Sequence, residues 1–163
     1  MGRLRRNGTV QVVTGASPEQ VWDVLADVGR AGEWSHETRV GQWLDGADSW
    51  VVGARFRGRN QQGRTRWSRV NEVLVADRPR ELSWRTVPSR LYRDSTRWTY
   101  TLEPVEGGTR ITQRFEVLQL HPVVDRLFYL CIPAHRDRSE ALRGDLERLG
   151  QVAMAGTGQA TPA

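Results

Sequence analysis

The spacing of hydrophobic positions changes character twice along the chain. Thr9 to Thr14 (TVQVVT) has the β-branched content of a strand, and Gly15 ends it. The next segment turns helical: Val21, Trp22, Leu25 and Val28 recur at a period of about 3.6. Its start signal is complete, with Ser17 as cap, Pro18 at the first helical position and Gln20 closing a capping box. Gly29 stops this helix, and a second short helical turn over Ala31 to Ser35 carries Trp34 and leads to His36. From Arg39 to Leu118 the period shortens to two, with Gly, Pro and Asp between the runs. The predicted strands are Arg39–Leu44, Ala54–Gln61, Arg64–Ala76, Glu81–Val87, Asp94–Pro104 and Arg110–Leu118. The last two form a hairpin across Glu106-Gly107-Gly108.

Alternation within the strands separates two faces. Thr96, Trp98, Tyr100 and Leu102 share one side and Arg97, Thr99, Thr101 and Glu103 the other; Ile111, Gln113, Phe115 and Val117 likewise oppose Arg110, Thr112, Arg114 and Glu116. One face is therefore apolar with scattered polar groups, and the other is wet. A long helix is predicted over Pro122 to Leu149, with Val124, Leu127, Phe128, Cys131, His135, Leu142, Leu146 and Leu149 on its apolar stripe and a kink near Pro133. Residues from Gln151 onward are predicted to fray. The expected organisation is a flexible basic N-terminus over 1–8, one domain over 9–150 and a disordered tail over 151–163.

Composition narrows the class. The longest apolar runs fall far short of the roughly 18 residues of a membrane span. Arg3, Arg5 and Arg6 resemble the start of a secretion signal, but an alternating segment follows them instead of an apolar one, so a cytoplasmic protein is expected. The single cysteine, Cys131, excludes an internal disulfide and a cysteine zinc site. The net charge of +5 comes from 24 basic residues, all of them Arg, against 19 acidic ones. Arg55, Arg57, Arg59, Arg64, Arg66 and Arg69 cluster about one hairpin, the first three on one face opposite Phe56 and Gly58. This cluster suits an anionic partner or a solvated outer face; no nucleic-acid motif accompanies it, and the solvated face is the expectation. Trp, at 7 residues, outnumbers Tyr and Phe together, at 3 each, and falls largely on inward positions.

The element order and several segments resemble one family. ASPEQVWDVLADVGRAGEW is similar to the opening of START-like, polyketide cyclase/dehydrase proteins, and GARFRGRN, WSRV and RWTYTLEPVEGGTRITQRFEV are similar to the bacterial branch of that superfamily. The resemblance spans about Thr9 to Gly150 and implies an α+β helix-grip fold, in which a curved antiparallel seven-stranded sheet wraps a long C-terminal helix. It also implies a deep apolar cavity that holds a polyketide- or lipid-like molecule, with no cofactor; an acyl carrier protein is an anionic partner that the arginine cluster would suit.

Candidate site residues follow from the inward positions. His135 lies on the apolar stripe of the last helix, where an imidazole could remove a proton alpha to a carbonyl, or could instead bond to the kink at Pro133. Tyr100 could donate a proton to a developing enolate. Trp34, Phe56, Asn60, Trp67, Trp84, Trp98 and Gln113 are expected to line the ligand space from the strands and the short turn, with Phe128 and Cys131 facing them from the helix. Gln113 is singled out because an amide among Ile111, Phe115 and Val117 needs a partner. His36 sits near the expected mouth between Glu33 and Glu37, which are read as solvated turn charges and not as a metal site. Three functions stay open: a cavity enzyme that cyclises or dehydrates its ligand, a carrier or sensor that only binds it, and a protein-interaction module acting through the arginine hairpin. A monomer and a homodimer are equally consistent with the sequence.

Overall fold

The period of two between Thr38 and Gln119 produces six consecutive strands. In the computed structural model, which describes residues 6–90, 93–120 and 138–156, they are β2 (Thr38–Trp43), β3 (Arg55–Gln62), β4 (Thr65–Asp77), β5 (Glu81–Thr86), β6 (Ser95–Val105) and β7 (Gly108–Gln119). The first strand, β1 (Asn7–Thr14), does not join its neighbour in sequence but pairs with β7. The result is one seven-stranded antiparallel sheet in the order β1-β7-β6-β5-β4-β3-β2. Register shifts at Thr38/Val40, Val73/Val75 and Ser95/Thr96 mark bulges, which bend a strand and strengthen its twist.

Helix α1 (Pro18–Ala26) starts on the expected capping box: Ser17 Oγ accepts from the Gln20 amide at 3.3 Å, and the Gln20 side chain accepts from the Ser17 amide at 2.7 Å. Its end differs from the reading. Asp27 breaks the helix by capping a 3-10 helix over Val28–Glu33, its carboxylate accepting from the Gly29 amide at 3.0 Å. Val28 and Gly29 therefore open this second element. It lies tightly on β2 because Gly41 has no side chain; a Cβ there would sit 2.6 Å from Val28 Cβ.

The C-terminal helix α2 spans Ser139–Ala155. Fraying from Gln151 is thus corrected: the helix continues, and Ala153 is buried against the core. The N-terminal boundary moves as well, since Asn7 and Gly8 already belong to β1. The kink expected at Pro133 lies outside the described residues. Gly150 lets α2 approach β1, where a Cβ would meet Thr14 Oγ1 at 2.7 Å.

Two packed clusters form the core. The larger joins α1 and α2 to the sheet through Val21, Leu25, Leu102, Ile111, Leu146 and Leu149. The smaller gathers Val28, Ala54, Phe56 and Val73 near the β2 edge, and Trp50 and Trp84 touch both. The far face of the sheet is charged. Arg55, Arg57 and Arg59 are exposed there, and Glu72 accepts from Arg55 and Arg85 at 2.9 Å each.

Candidate functional site

Between the inner sheet face, the 3-10 helix and α2 lies a cavity of about 810 Å³. Its size falls within the roughly 300–1,000 Å³ of small-molecule sites. Phe56, Asn60, Trp67, Trp84, Trp98 and Gln113 all line it, as their alternation predicted. Register explains why they meet: Asn60 stands opposite Trp67, Trp84 opposite Trp98, and Tyr100 opposite Gln113, each pair on adjacent strands and the same face. Tyr100, Trp34 and His36 also border the cavity. His135, Phe128 and Cys131 lie outside the described residues.

An aromatic chain forms much of the wall. Trp84 stacks on Tyr100 with ring centroids 5.3 Å apart and planes 11° from parallel, and Tyr100 meets Trp34 edge-on at 6.1 Å. In the other direction Trp84 contacts Phe56 and Trp50, which is 5.6 Å from Trp43. Such edge and offset contacts fit the ring quadrupoles and hold the rings in place. Trp50 was not among the sequence candidates. It sits in the β2–β3 loop, where no periodicity points to a face. Its indole nitrogen donates to Ala26 O at 2.6 Å, using a carbonyl left free at the end of α1.

The polar part of the wall is built around a residue that sequence reasoning missed. Asp145 on α2 is 3% exposed, and its carboxylate accepts from the His36 amide at 2.9 Å, pairs with His36 Nδ1 at 2.7 Å and accepts from Arg148. Arg148 also donates to Trp34 O at 3.0 Å, so α2 grips the whole turn from Trp34 to His36. The available signal was an acid three residues after Leu142 and four before Leu149, on the buried stripe, where an unpaired charge is costly. His36 is therefore tied to α2. Its side chain is only 30% exposed, and its hydrogen bond to Asp145 raises its pKa above the usual histidine value. Burial opposes that rise, the charges of Asp145 and Glu37 add to it, and Arg138 subtracts. Glu33, by contrast, is engaged with exposed Arg30 at 2.8 Å.

Burial holds the Tyr100 hydroxyl well above the ordinary phenol range, and the Asp145 charge pushes the same way. Tyr100 thus stays a neutral donor. Gln113, 3% exposed, keeps its side-chain oxygen unpaired among the described residues, as does the indole nitrogen of Trp34. At the mouth the arginine reading needs a second correction. Arg69 shares the inward face with Trp67 and Asn71 and binds Asp94 at 2.8 Å, and exposed Arg66, Arg90 and Arg93 border the cavity mouth. Thr38 closes the same end by donating to Asn60 at 2.9 Å.

Comparison with known proteins agrees with this geometry. Residues 5–153 match the family model described as polyketide cyclase / dehydrase and lipid transport. No curated protein matches the sequence. Among solved structures, TTHA0849 from Thermus thermophilus superimposes with a TM-score of 0.71 at 14% identity, covering 93% of this chain and 99% of that one. Protein MLL2253 from Mesorhizobium loti gives 0.65 at 19% identity over 92% and 98%. A protein from Arthrobacter aurescens gives 0.66 at 14% identity over 92% and 87%. At these identities the likeness is one of fold.

Proposed function

Because the chain belongs to the polyketide cyclase / dehydrase and lipid transport family, within the START-like superfamily, we propose that its cavity binds a hydrophobic, polyketide- or lipid-like small molecule. The observation that carries this reading is the cavity of about 810 Å³ walled by Trp84, Trp50, Phe56 and Tyr100. Rings already packed against one another offer a flat, apolar, pre-formed surface, so little ordering is required when a ligand enters.

In its catalytic form the reading adds a cofactor-independent cyclisation or dehydration. Holding a flexible chain in one reactive fold supplies most of the acceleration, and Tyr100, kept protonated by burial, donates to the developing oxyanion. A carrier or sensor needs only the wall; an enzyme needs a proton-transfer group beside it. For a carrier-bound polyketide, an acyl carrier protein is the partner, and Arg66, Arg90 and Arg93 at the mouth are the surface that would face its acidic side chains.

Native mass spectrometry of protein purified from its host tests the reading. A co-purifying apolar small molecule is expected. If the released ligand returns unchanged after incubation with fresh protein, the chain carries it; if its mass falls by one water or its absorbance shifts, the chain transforms it. Protein that carries no small molecule and fails to enhance the fluorescence of anilinonaphthalene sulfonate would refute the cavity reading.

A further inference from the structure

Among the described residues, the histidine at the cavity is His36, expected near its mouth. His36 borders the cavity, and its Nδ1 is committed to Asp145 Oδ2 at 2.7 Å. A second bond, from the His36 amide to Asp145 Oδ1 at 2.9 Å, fixes the backbone to the same carboxylate. Asp145 is in turn held by Arg148, and Arg148 by Trp34 O. The ring is thus clamped at one nitrogen and along its main chain. Nε2 has no protein partner among the described residues.

This division of labour has a chemical consequence. With its proton on Nδ1 and shared with a carboxylate, the neutral imidazole presents Nε2 as a bare lone pair, and the imidazolium that forms on protonation is stabilised in place. We propose that His36, oriented by Asp145, is the proton-transfer group of this cavity, acting on carbon acids such as a C–H alpha to a carbonyl in an apolar ligand. The proposal rests on the cavity being a ligand site.

The step balances without any co-reactant. Nε2 takes the proton from the alpha carbon, the C–H electron pair moves into the new C=C bond, and the carbonyl electrons move to oxygen. Tyr100 lies on the same cavity, its ring edge against Trp34, two residues before His36, and its hydroxyl can hydrogen-bond that oxygen. The imidazolium then returns the proton, either to carbon or to a departing β-hydroxyl, which leaves as water. His36 ends neutral in both cases.

Among the described residues, the charged groups around the imidazole are Asp145 on α2, Glu37 beside it in the chain and Arg138 just before α2. Asp145 and Glu37 favour the imidazolium and Arg138 opposes it, with Asp145 dominant through its hydrogen bond. The neutral ring is therefore a stronger base than free imidazole, and it becomes available as pH rises through its raised titration. Asp145 is a positioning residue, since both of its carboxylate oxygens are engaged by His36 and Arg148.

A carbon-acid probe tests this without knowledge of the natural ligand. Ring opening of 5-nitrobenzisoxazole, an apolar fused ring, needs only a base: the C–H proton goes to the base, the N–O bond breaks and a coloured cyanophenolate is released. The full chain is expected to open it with saturation kinetics and a rate that rises with pH through the raised His36 titration. H36Q should lower the rate roughly 100-fold or more, the usual contribution of a general base. D145N should lower kcat with little change in KM and move the pH midpoint downward. Anilinonaphthalene sulfonate binding, followed in parallel, should survive both substitutions.

A wild-type rate no greater than that of an equal concentration of free imidazole overturns the proposal. So does an H36Q variant that binds the dye and retains the wild-type rate. If H36Q does not fold, the wild-type profile decides, because a flat response across the histidine range removes His36 as the base. Failure of the wild type to bind the dye overturns the cavity reading itself, and the proposal with it.

Discussion

Replacing Asp145 by Asn keeps the shape of the side chain and removes its charge, so it isolates what holds the Trp34–His36 turn to α2. Asp145 accepts from the His36 amide at 2.9 Å and pairs with His36 Nδ1 at 2.7 Å, and the carboxylate is almost fully buried. The Asn carbonyl can still accept from the His36 amide. Its NH2 group, however, then faces the Nδ1 proton, and one charge-assisted bond is lost. A hydrogen bond to a charged group contributes about 1.5–3 kcal/mol. The Arg148 contact adds little, because that guanidinium is 44% exposed and screened. A loss of about 2–3 kcal/mol lowers Tm by roughly 5–10 °C in a chain of this size.

The pH dependence carries the sharper test. The His36 pKa is raised in the folded state, so its stabilising contribution is complete below its ordinary value of 6.5 and disappears as pH rises through the folded value. D145N removes the hydrogen bond that produces the rise. The gap in Tm between wild type and variant should therefore be largest at about pH 5.5–6 and smaller at about pH 8.5. Thermal unfolding followed by circular dichroism at those values checks it. A gap that is constant across pH, or one below about 1 kcal/mol, would refute the coupling.

Three further outcomes follow from the same geometry. Gln113→Leu removes a buried oxygen that has no partner among the described residues, so urea unfolding should show stability raised by about 1 kcal/mol; a fall would mean that water or protein satisfies the oxygen in solution. Trp84→Ala takes out the ring that bridges both core clusters and stacks on Tyr100, and should cost about 3 kcal/mol while weakening dye binding; unchanged dye fluorescence would remove Trp84 from the ligand wall. Gly41→Ala forces a methyl into Val28 and should cost about 1–3 kcal/mol, with faster amide exchange in the 3-10 helix as the local readout.

The parts of the fold legible in the sequence are those set by neighbours in the chain. The Ser17–Gln20 capping box, the Gly107–Gly108 hairpin and the inward series Trp98, Tyr100 and Gln113 are all fixed by local geometry or by the period of a strand. Strand pairing then brings those inward residues together, because alternation on each strand and an antiparallel meander leave few other registers. What escaped the sequence depends on contacts between distant segments. His36 and Asp145 are 109 residues apart, and only the packing of α2 beside the 3-10 helix makes one the partner of the other. Read locally, His36 was one of several polar residues in a turn. Arg69 was grouped with the outer arginines by its neighbours in sequence, although its own alternation with Trp67 and Asn71 places it inside. Trp50 had no pattern to read, since its loop has neither period.

The pairing of β1 with β7 sets the order in which the molecule can be completed. Gln11 reaches Thr112, 101 positions further along the chain, at 3.0 Å, and Arg143 on α2 donates to Gln11 O at 3.2 Å. β1 therefore finds its pairing partner only once β7 is in place, while β2 to β7 pair with their neighbours in sequence. Contacts of such long separation slow folding, and until β7 is in place β1 has an unpaired edge. The cavity is bordered on one side by the hairpins and on the other by α2, so it too is complete only once these distant segments have met. Until they meet, the sheet alone encloses no cavity.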